Sequence, residues 1–330
     1  MRGHPAPVAA SVTVEAPARL HLGFLDPSGG LGRRFASLGL AIDALGTRIT
    51  VRLAARMSVE EPERERVERH LETMRAHLGL RGAYAVAVEK MTPAHAGLGS
   101  GTQMALAVAA GVRRLHDLPL DLRGDAVLLG RGGRSGIGIG AFERGGLMLD
   151  GGRGPSTVPP PIVSRLHFPE QWRVLLVLDP SRKGMHGPEE GARFAALPRF
   201  PEAQAAHHCR LLLMKALPAV AEDDLASFGS AVRELQACVG DYFAPVQGGS
   251  RFASPKVATG LELLDQAGAH GIGQSSWGPT GFAFAPSPDE AARLVALLRR
   301  DARLQGLDIR ACAGLNRGAQ IDAHPAVDAR

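Results

Sequence analysis

Along the first hundred residues the apolar positions change their spacing several times, and each change marks an element. Residues 1–10 read as a loose tail, Val12–Glu15 alternates, and Ala16-Pro17 punctuates it. Leu20–Leu25 reads as a strand and Asp26–Gly32 as the turn that follows. Ser37–Leu53 is largely apolar and becomes β-branched toward its end, which predicts a second strand near Thr47–Leu53. Glu61–Leu78 carries charges with apolar residues at helical spacing, the pattern of a helix with one face in solvent. Tyr84–Glu89 alternates again as a strand. Thr92-Pro93 then opens a glycine-rich loop, and the Ala-rich stretch Gln103–Leu115 follows it as a helix.

Beyond this strand, loop and helix, Asp121–Gly130 predicts another helix and Gly145–Asp150 a strand. Gly151–Pro161 (GGRGPSTVPPP) is the strongest linker pattern in the chain and divides it into domains 1–160 and 161–330. In the second part Trp172–Leu178, Gly281–Ala285 and Asp308–Cys312 read as strands. Gln204–Leu217, Asp224–Cys238, Pro255–Ala267 and Asp289–Arg300 read as helices. No segment repeats, and strands and helices do not alternate as steady βαβ units. The fold class is therefore α+β, in two domains.

Composition narrows the function. With 330 residues the chain is long enough for two cores, and 45% hydrophobic against 22% charged residues is globular. Aromatic residues are scarce, so Leu, Val, Ile and Ala must fill the interior. The net charge of +5 is spread through mixed runs such as Glu60–Glu68, without the basic stripe and interleaved aromatics of a nucleic-acid groove. The mild excess suits a small anionic substrate, and an ordinary soluble surface at least as well. Cys209, Cys238 and Cys312 are too far apart for a disulfide framework or a CxxC site, which points to a reducing compartment. No stretch has the apolar length of a membrane span, and the N-terminus lacks a secretory core, so a cytoplasmic protein is expected.

Three glycine-rich places can carry chemistry. Gly97-Leu98-Gly99-Ser100-Gly101-Thr102-Gln103 lies between a strand and a helix. There glycines let the backbone wrap an anion, and the helix N-terminus offers N–H groups and partial positive charge. It is no Walker loop, because no GK[ST] follows. Gly130–Gly140 places Arg131 and Arg134 among glycines beside Ser135, guanidinium forks suited to phosphate or carboxylate. Gly271–Phe282 holds Trp277, one of two tryptophans, which alone reads as a core anchor at a tight turn. Asp26 ends a strand at a glycine turn and Arg33 returns after it. A lone Asp there is usually a turn cap, but the place also admits a pocket carboxylate. His207-His208-Cys209 invites a metal reading, although neighbours on a helix point to different faces.

Together these segments resemble the GHMP kinase superfamily. Pro93-x-x-x-Gly97-Leu98-Gly99-Ser100-Gly101 matches its phosphate loop, Ala16–Gly23 (APARLHLG) its N-terminal motif, and Gly271–Phe282 its C-terminal glycine motif. The order and spacing run through almost the whole chain. The resemblance implies an N-terminal domain like the second domain of ribosomal protein S5 and a ferredoxin-like C-terminal domain. Departures separate the chain from the kinases. Ser135-Gly136-Ile137-Gly138 has glycine where they carry an acid, the N-terminal motif lacks Gly-Glu-His, and Gln274–Pro279 replaces a run of Gly and Ala.

In those departures the chain resembles one branch, the β-ribofuranosylaminobenzene 5′-phosphate synthases of tetrahydromethanopterin biosynthesis. The carrying residues are Arg19-Leu20-His21, Leu25-Asp26, Gly32-Arg33, Gly130–Gly138 with Phe142-Glu143 and Gly145-Gly146, Arg182–Gly187, and Gln274–Thr280. The resemblance implies that 4-aminobenzoate, or its hydroxy analogue, is joined to phosphoribosyl pyrophosphate with loss of CO2 and pyrophosphate. It implies Asp26 and Arg33 as catalytic residues. Gly97, Leu98, Gly99, Ser100, Gly101, Thr102, Gln103, Arg131, Arg134, Ser135, Lys183, His186 and Trp277 are then the substrate-binding set. Substrate-borne Mg2+ with no organic cofactor, and a homodimer, also follow from it, while the dispersed charge and the lack of a membrane-length apolar stretch leave no nucleic-acid or membrane partner expected. Two other readings are an ATP-dependent GHMP small-molecule kinase and a noncatalytic RNA-associated protein.

Overall fold

A computed structural model describes residues 8–61, 63–155, 159–184 and 187–325. The strands are β1 (Ser11–Asp26), β2 (Phe35–Ala54), β3 (Ser58–Val59), β4 (Ala83–Lys90), β5 (Leu147–Asp150), β6 (Ile162–Leu166), β7 (Arg173–Leu178), β8 (His270–Gln274), β9 (Gly281–Ala285), β10 (Asp308–Ala313) and β11 (Gln320–His324). The α-helices are α1 (Arg64–Leu78), α2 (Ser100–Leu115), α3 (Leu122–Leu128), α4 (Ile137–Glu143), α5 (Gly187–Ala196), α6 (Glu202–Leu211), α7 (Leu217–Ala221), α8 (Leu225–Phe243), α9 (Pro255–Gln266) and α10 (Pro288–Arg300). A π-helical turn, Leu212–Ala216, joins α6 to α7.

Two sheets organise these elements. The first runs β11-β1-β2-β4-β3, with β5 on the other half of β2 and β6 beside β5. The second is β10-β7-β9-β8, all antiparallel. With α8 and α9 between β7 and β8, and α10 between β9 and β10, that strand order is ferredoxin-like. The expected α+β architecture is therefore present.

The two stretches read as separate strands, Val12–Glu15 and Leu20–Leu25, form one long β1. Its proline sits where pairing skips, between Ala16 and Ala18, so no ladder hydrogen bond is lost. The skip also divides the core. Val12, Val14 and Ala16 pack with α1 and α2, whereas Ala18, Leu20, Leu22 and Phe24 face the core shared with β7, β9 and α8. A third core, with Leu175, Val177, Leu261 and Leu294, closes the outer face of the second sheet under α9 and α10.

Gly151–Pro161, expected to be a linker, instead closes the hairpin between β5 and β6, pinned by Gly151 N–H to Pro161 O and by pairing of Arg34 with Arg153. The first sheet thus draws two strands, β6 and β11, from beyond residue 160. The glycine-dense stretch after Gly130 contains a helix, α4. Gly140 lies so close to Met148 and Ile162 that a Cβ would stand 2.8–2.9 Å from their side chains. Glycine in a helix costs stability, and here it lets the helix sit directly on strands.

One buried ion pair fixes the far end of α2: Arg113 donates from Nε and Nη2 to both carboxylate oxygens of Asp125 on α3, each at 2.6 Å. Both side chains are buried. Asp125→Ala strands the guanidinium and should cost about 3–5 kcal/mol, read as a lower denaturation midpoint in urea with the m-value unchanged.

Candidate active site

The glycine motifs meet at one place. Leu98 O accepts from the backbone N–H of Arg19 at 3.0 Å, which ties the loop before α2 to β1. Gly97 O accepts both from the Arg19 guanidinium and from the Ser275 hydroxyl. Ser275 Oγ in turn accepts from the His21 backbone N–H at 3.0 Å. Gly184 N–H reaches His95 O at 2.8 Å. The backbones approach so closely that side chains are excluded. A Cβ on Gly97 would overlap Ser275 O, one on Gly278 would overlap Ala96, and one on Gly184 would lie 2.5 Å from Trp277 O.

This clasp presents the first turn of α2. Gly99 caps it at φ +86, with the Arg19 side chain where a Cβ would point, and its carbonyl accepts from Thr102 and Gln103. Gly101 exposes its backbone to Arg131, whose Nη1 would be 3.0 Å from a Cβ there. Gln103 Nε2 donates to Gly138 O at 2.8 Å. Gly138 stands 3.0 Å from the Thr102 methyl, measured from its own absent Cβ. The position that carries an acid in kinases is thus filled by the helix crossing itself.

Arg131 and Arg134 leave their loop in different directions. Arg131 goes to α2. Arg134 lies over the ring of Phe194 at 5.1 Å. Phe194 packs edge-on against Trp277 and Phe243, each with centroids 5.2 Å away, and Phe24 lies 6.2 Å from it. Phe24, Phe243 and Trp277 line a pocket with His21, Gln236 and Gln274. Gln236 donates to Leu22 O and accepts from the Gln274 backbone N–H, and the Gln274 side chain accepts from Ala253 N–H and donates to Ser276 O and Gln247 Oε1. His21 is not satisfied: only 3% exposed, its Nε2 meets no partner. Burial, with Arg19 adding to it, lowers its pKa to about 3, so the imidazole is neutral.

Ser135 serves as scaffold. Its hydroxyl donates to Asp150 Oδ2 at 2.9 Å, and the buried Asp150 also accepts from the N–H groups of Ser37, Gly136 and Gly152. Asp26 makes the hydrogen bonds of a turn cap. Oδ1 accepts from Ser28 and Gly29 N–H and Oδ2 from Gly30 N–H. Arg33 donates to Gly151 O and Gly152 O. Both residues therefore hold the Asp26–Gly32 turn against the β5–β6 loop. They lie past the clasp along β1, five residues beyond His21 for Asp26, or about 15 Å of strand. Lys183 is exposed and precedes Gly184 at the clasp. His186 lies outside the described residues.

His207-His208-Cys209 does not form a metal site. His207 pairs with Glu234, and the buried His208 bonds Leu25 O. Among the described residues no group of three His, Cys, Asp or Glu is placed to hold a metal.

Sequence reasoning placed α1 as a helix but missed one of its faces. Arg66, Arg69 and His70 recur at i, i+3 and i+4, so they share a helix face, and they lie within electrostatic range of Arg131. The signal was present but lay in a mixed-charge run read as solvent-facing. Desolvation and these three arginines lower the pKa of His70 to about 4. Arg131 is shifted down by burial and by Arg66 and Arg69.

Comparison with known proteins follows the same pattern. Residues 65–146 match the GHMP kinases N terminal domain and 216–303 the GHMP kinases C terminal model. A protein of Archaeoglobus fulgidus named beta-ribofuranosylphenol 5'-phosphate synthase is 34% identical, over 94% of this chain and 99% of its own. One of the same name from Methanothermobacter thermautotrophicus is 30% identical, over 93% and 97%. The chain belongs to this GHMP family. Its fold is shared more widely: mevalonate kinase of L. major superposes with a TM-score of 0.68 over 94% of this chain and 99% of that one, at 15% identity.

In this family member, His21 and His70 are neutral in the fold and protonate more readily once unfolded. The unfolded state therefore binds more protons as pH falls from about 6.5 toward the folded values. Stability is fully present above that pH and is lost as pH drops to about 4. Thermal melting from pH 7.5 to 4 should show the decline, and His70→Leu should flatten part of it.

Proposed function

We propose that the chain is a decarboxylating phosphoribosyltransferase that joins a para-substituted benzoate to phosphoribosyl pyrophosphate, the aryl acid bearing an amino or hydroxy group. The curated relatives are named for the phenol product, and the expected amino substrate serves the same electronic role. The observation that carries the reading is the arginine loop between two unlike seats. Arg131 stands at the open first turn of α2, and Arg134 stands over an aromatic cluster.

The chemistry asks for both seats. The aryl carbon bearing the carboxylate gives an electron pair to ribose C1, and the C1–O bond to pyrophosphate breaks. The bond to the carboxylate then returns its pair to the ring as CO2 leaves. No external proton or electron is needed. Backbone N–H groups at Ser100 and Gly101, with Arg131 and Arg19 beside them, suit the anionic donor. Phe24, Phe243 and Trp277 suit the ring. His21, neutral and with Nε2 unpartnered, suits a hydroxyl or amino hydrogen on the ring, and that hydrogen bond raises the ring's electron density where the new bond forms.

Asp26 and Arg33 are proposed to act from the neighbouring turn. Asp26 Oδ2 takes a single N–H, so it keeps room for a substrate donor or for a metal carried by the donor's phosphates. Magnesium of that kind supplies charge neutralisation, retains most of its waters and needs only one or two protein carboxylates. Lys183 is proposed as a further phosphate contact.

Incubation with Mg2+, phosphoribosyl pyrophosphate and carboxyl-labelled 4-hydroxybenzoate or 4-aminobenzoate should release labelled CO2 only when the donor is present. No release with either acid would discard the reading. Asp26→Asn should lower kcat by about a hundredfold or more, in the range of losing a group that acts in the transition state, with circular dichroism unchanged. Turnover like the parent's would remove Asp26 from the mechanism.

A further inference from the structure

Two rings that a regular strand would hold apart meet in this fold. His21 and Phe24 are three residues apart on β1, an odd separation that sends side chains to opposite faces of a pleated strand. Pairing with β2 skips a residue between His21 and Gly23. The partners of His21 and Phe24 on β2, Gly39 and Ser37, are therefore two apart and share a face. The bulge thus reverses the alternation. The two rings pack edge to face at 4.4 Å and both line the pocket of Phe243 and Trp277. Gly23 makes the bend at φ +136, where a Cβ would stand 2.9 Å from the Leu235 side chain. Among the described residues lining that pocket, His21 Nε2 is the buried side-chain nitrogen or oxygen left without a partner. The ring's other nitrogen bonds the residue's own backbone carbonyl. The proton therefore sits on Nδ1, and Nε2 is an acceptor.

We propose that His21 is the specificity-determining residue of the aryl pocket: it selects the ring by a hydrogen on the para substituent and seats that end innermost, with the carboxylate toward the mouth. The inference rests on the synthase reading and adds to it an orientation and a selection rule. A hydroxyl or amino hydrogen satisfies the Nε2 lone pair. A carboxylate oxygen would set lone pair against lone pair and give up its water as well. The reaction asks for the same orientation. The carbon bearing the carboxylate must meet ribose C1, so it faces the donor, and the para substituent is at the far end of the ring. A ring without a para hydrogen to give leaves Nε2 buried and unpaired beneath it, which costs more than the absence of one attraction.

Calorimetric titration of the full chain with 4-hydroxybenzoate and with 4-fluorobenzoate, with and without inorganic pyrophosphate, tests this. The two acids are close in size, and only the first carries the hydrogen. The parent should bind 4-hydroxybenzoate roughly tenfold more tightly, the size of one hydrogen bond to a buried group. His21→Leu should bring the two affinities together by weakening the hydroxy acid and sparing the fluoro acid. A second readout needs no variant: in the parent carrying isotope-labelled histidine, the nitrogen resonance of the unprotonated His21 Nε2 should move with 4-hydroxybenzoate and stay with 4-fluorobenzoate. Equal affinities in the parent, no binding of either acid, a preference that survives in His21→Leu, or a resonance that does not move overturns the proposal. A preference lost in His21→Leu while labelled CO2 is never released keeps the His21 pocket and removes the synthase reading. Release of CO2 by a parent whose preference His21→Leu leaves unchanged does the reverse.

Discussion

The carbonyl of Gly97 is the point on which the active site hangs. It takes hydrogen bonds from a guanidinium on β1 and from a hydroxyl 178 residues away in sequence. Because neither Gly97 nor Gly278 leaves space for a side chain, the loops meet backbone to backbone, and the Arg19 and Ser275 side chains lock that contact. They fix where α2 begins, and therefore where its N–H groups aim. The positions of Arg131, Arg134, Trp277 and His21 are all set relative to that start.

Much of this was visible in the residues. The order of glycine motifs identified the fold, and the strands and helices of the second domain fell close to their expected places. What could not be read was which way individual side chains turn. Asp26 and Arg33 sit in the matched motif, yet their hydrogen bonds are those of a turn and its brace. Ser135, expected at the substrate, props Asp150. Conversely, Arg66, Arg69 and His70 looked like the wet side of a helix. A mixed-charge run reads as solvent-facing unless the packing partner is known, and the partner here comes from a loop some 60 residues on. The α4 helix was hidden because its glycines, poor helix formers by propensity, are selected by close approach to α2, β5 and β6.

The site has an unusual electrostatic economy. Its cations are numerous, its carboxylates are engaged in backbone turns or ion pairs, and two histidines are kept neutral by burial near arginines. Neutral imidazoles add hydrogen-bonding capacity without adding to the repulsion among guanidiniums. Hydrogen-bond donors of this kind act by direction as much as by Coulomb attraction.

The pairing of β11 with β1 has a consequence for how the protein is made. Ser11–Glu15 lies between β2 and Gln320–His324. Nearly the entire chain must be synthesised before that edge can close. A ribosome-bound precursor therefore carries an open strand edge through most of translation, while the hairpin of β1 and β2 is already complete. Long-range pairing of this sort is slow to form and exposed to wrong partners. The chain keeps that edge short, five residues, and polar residues alternate along it (Ser11, Thr13, Glu15), which limits what a stray strand can gain by docking there.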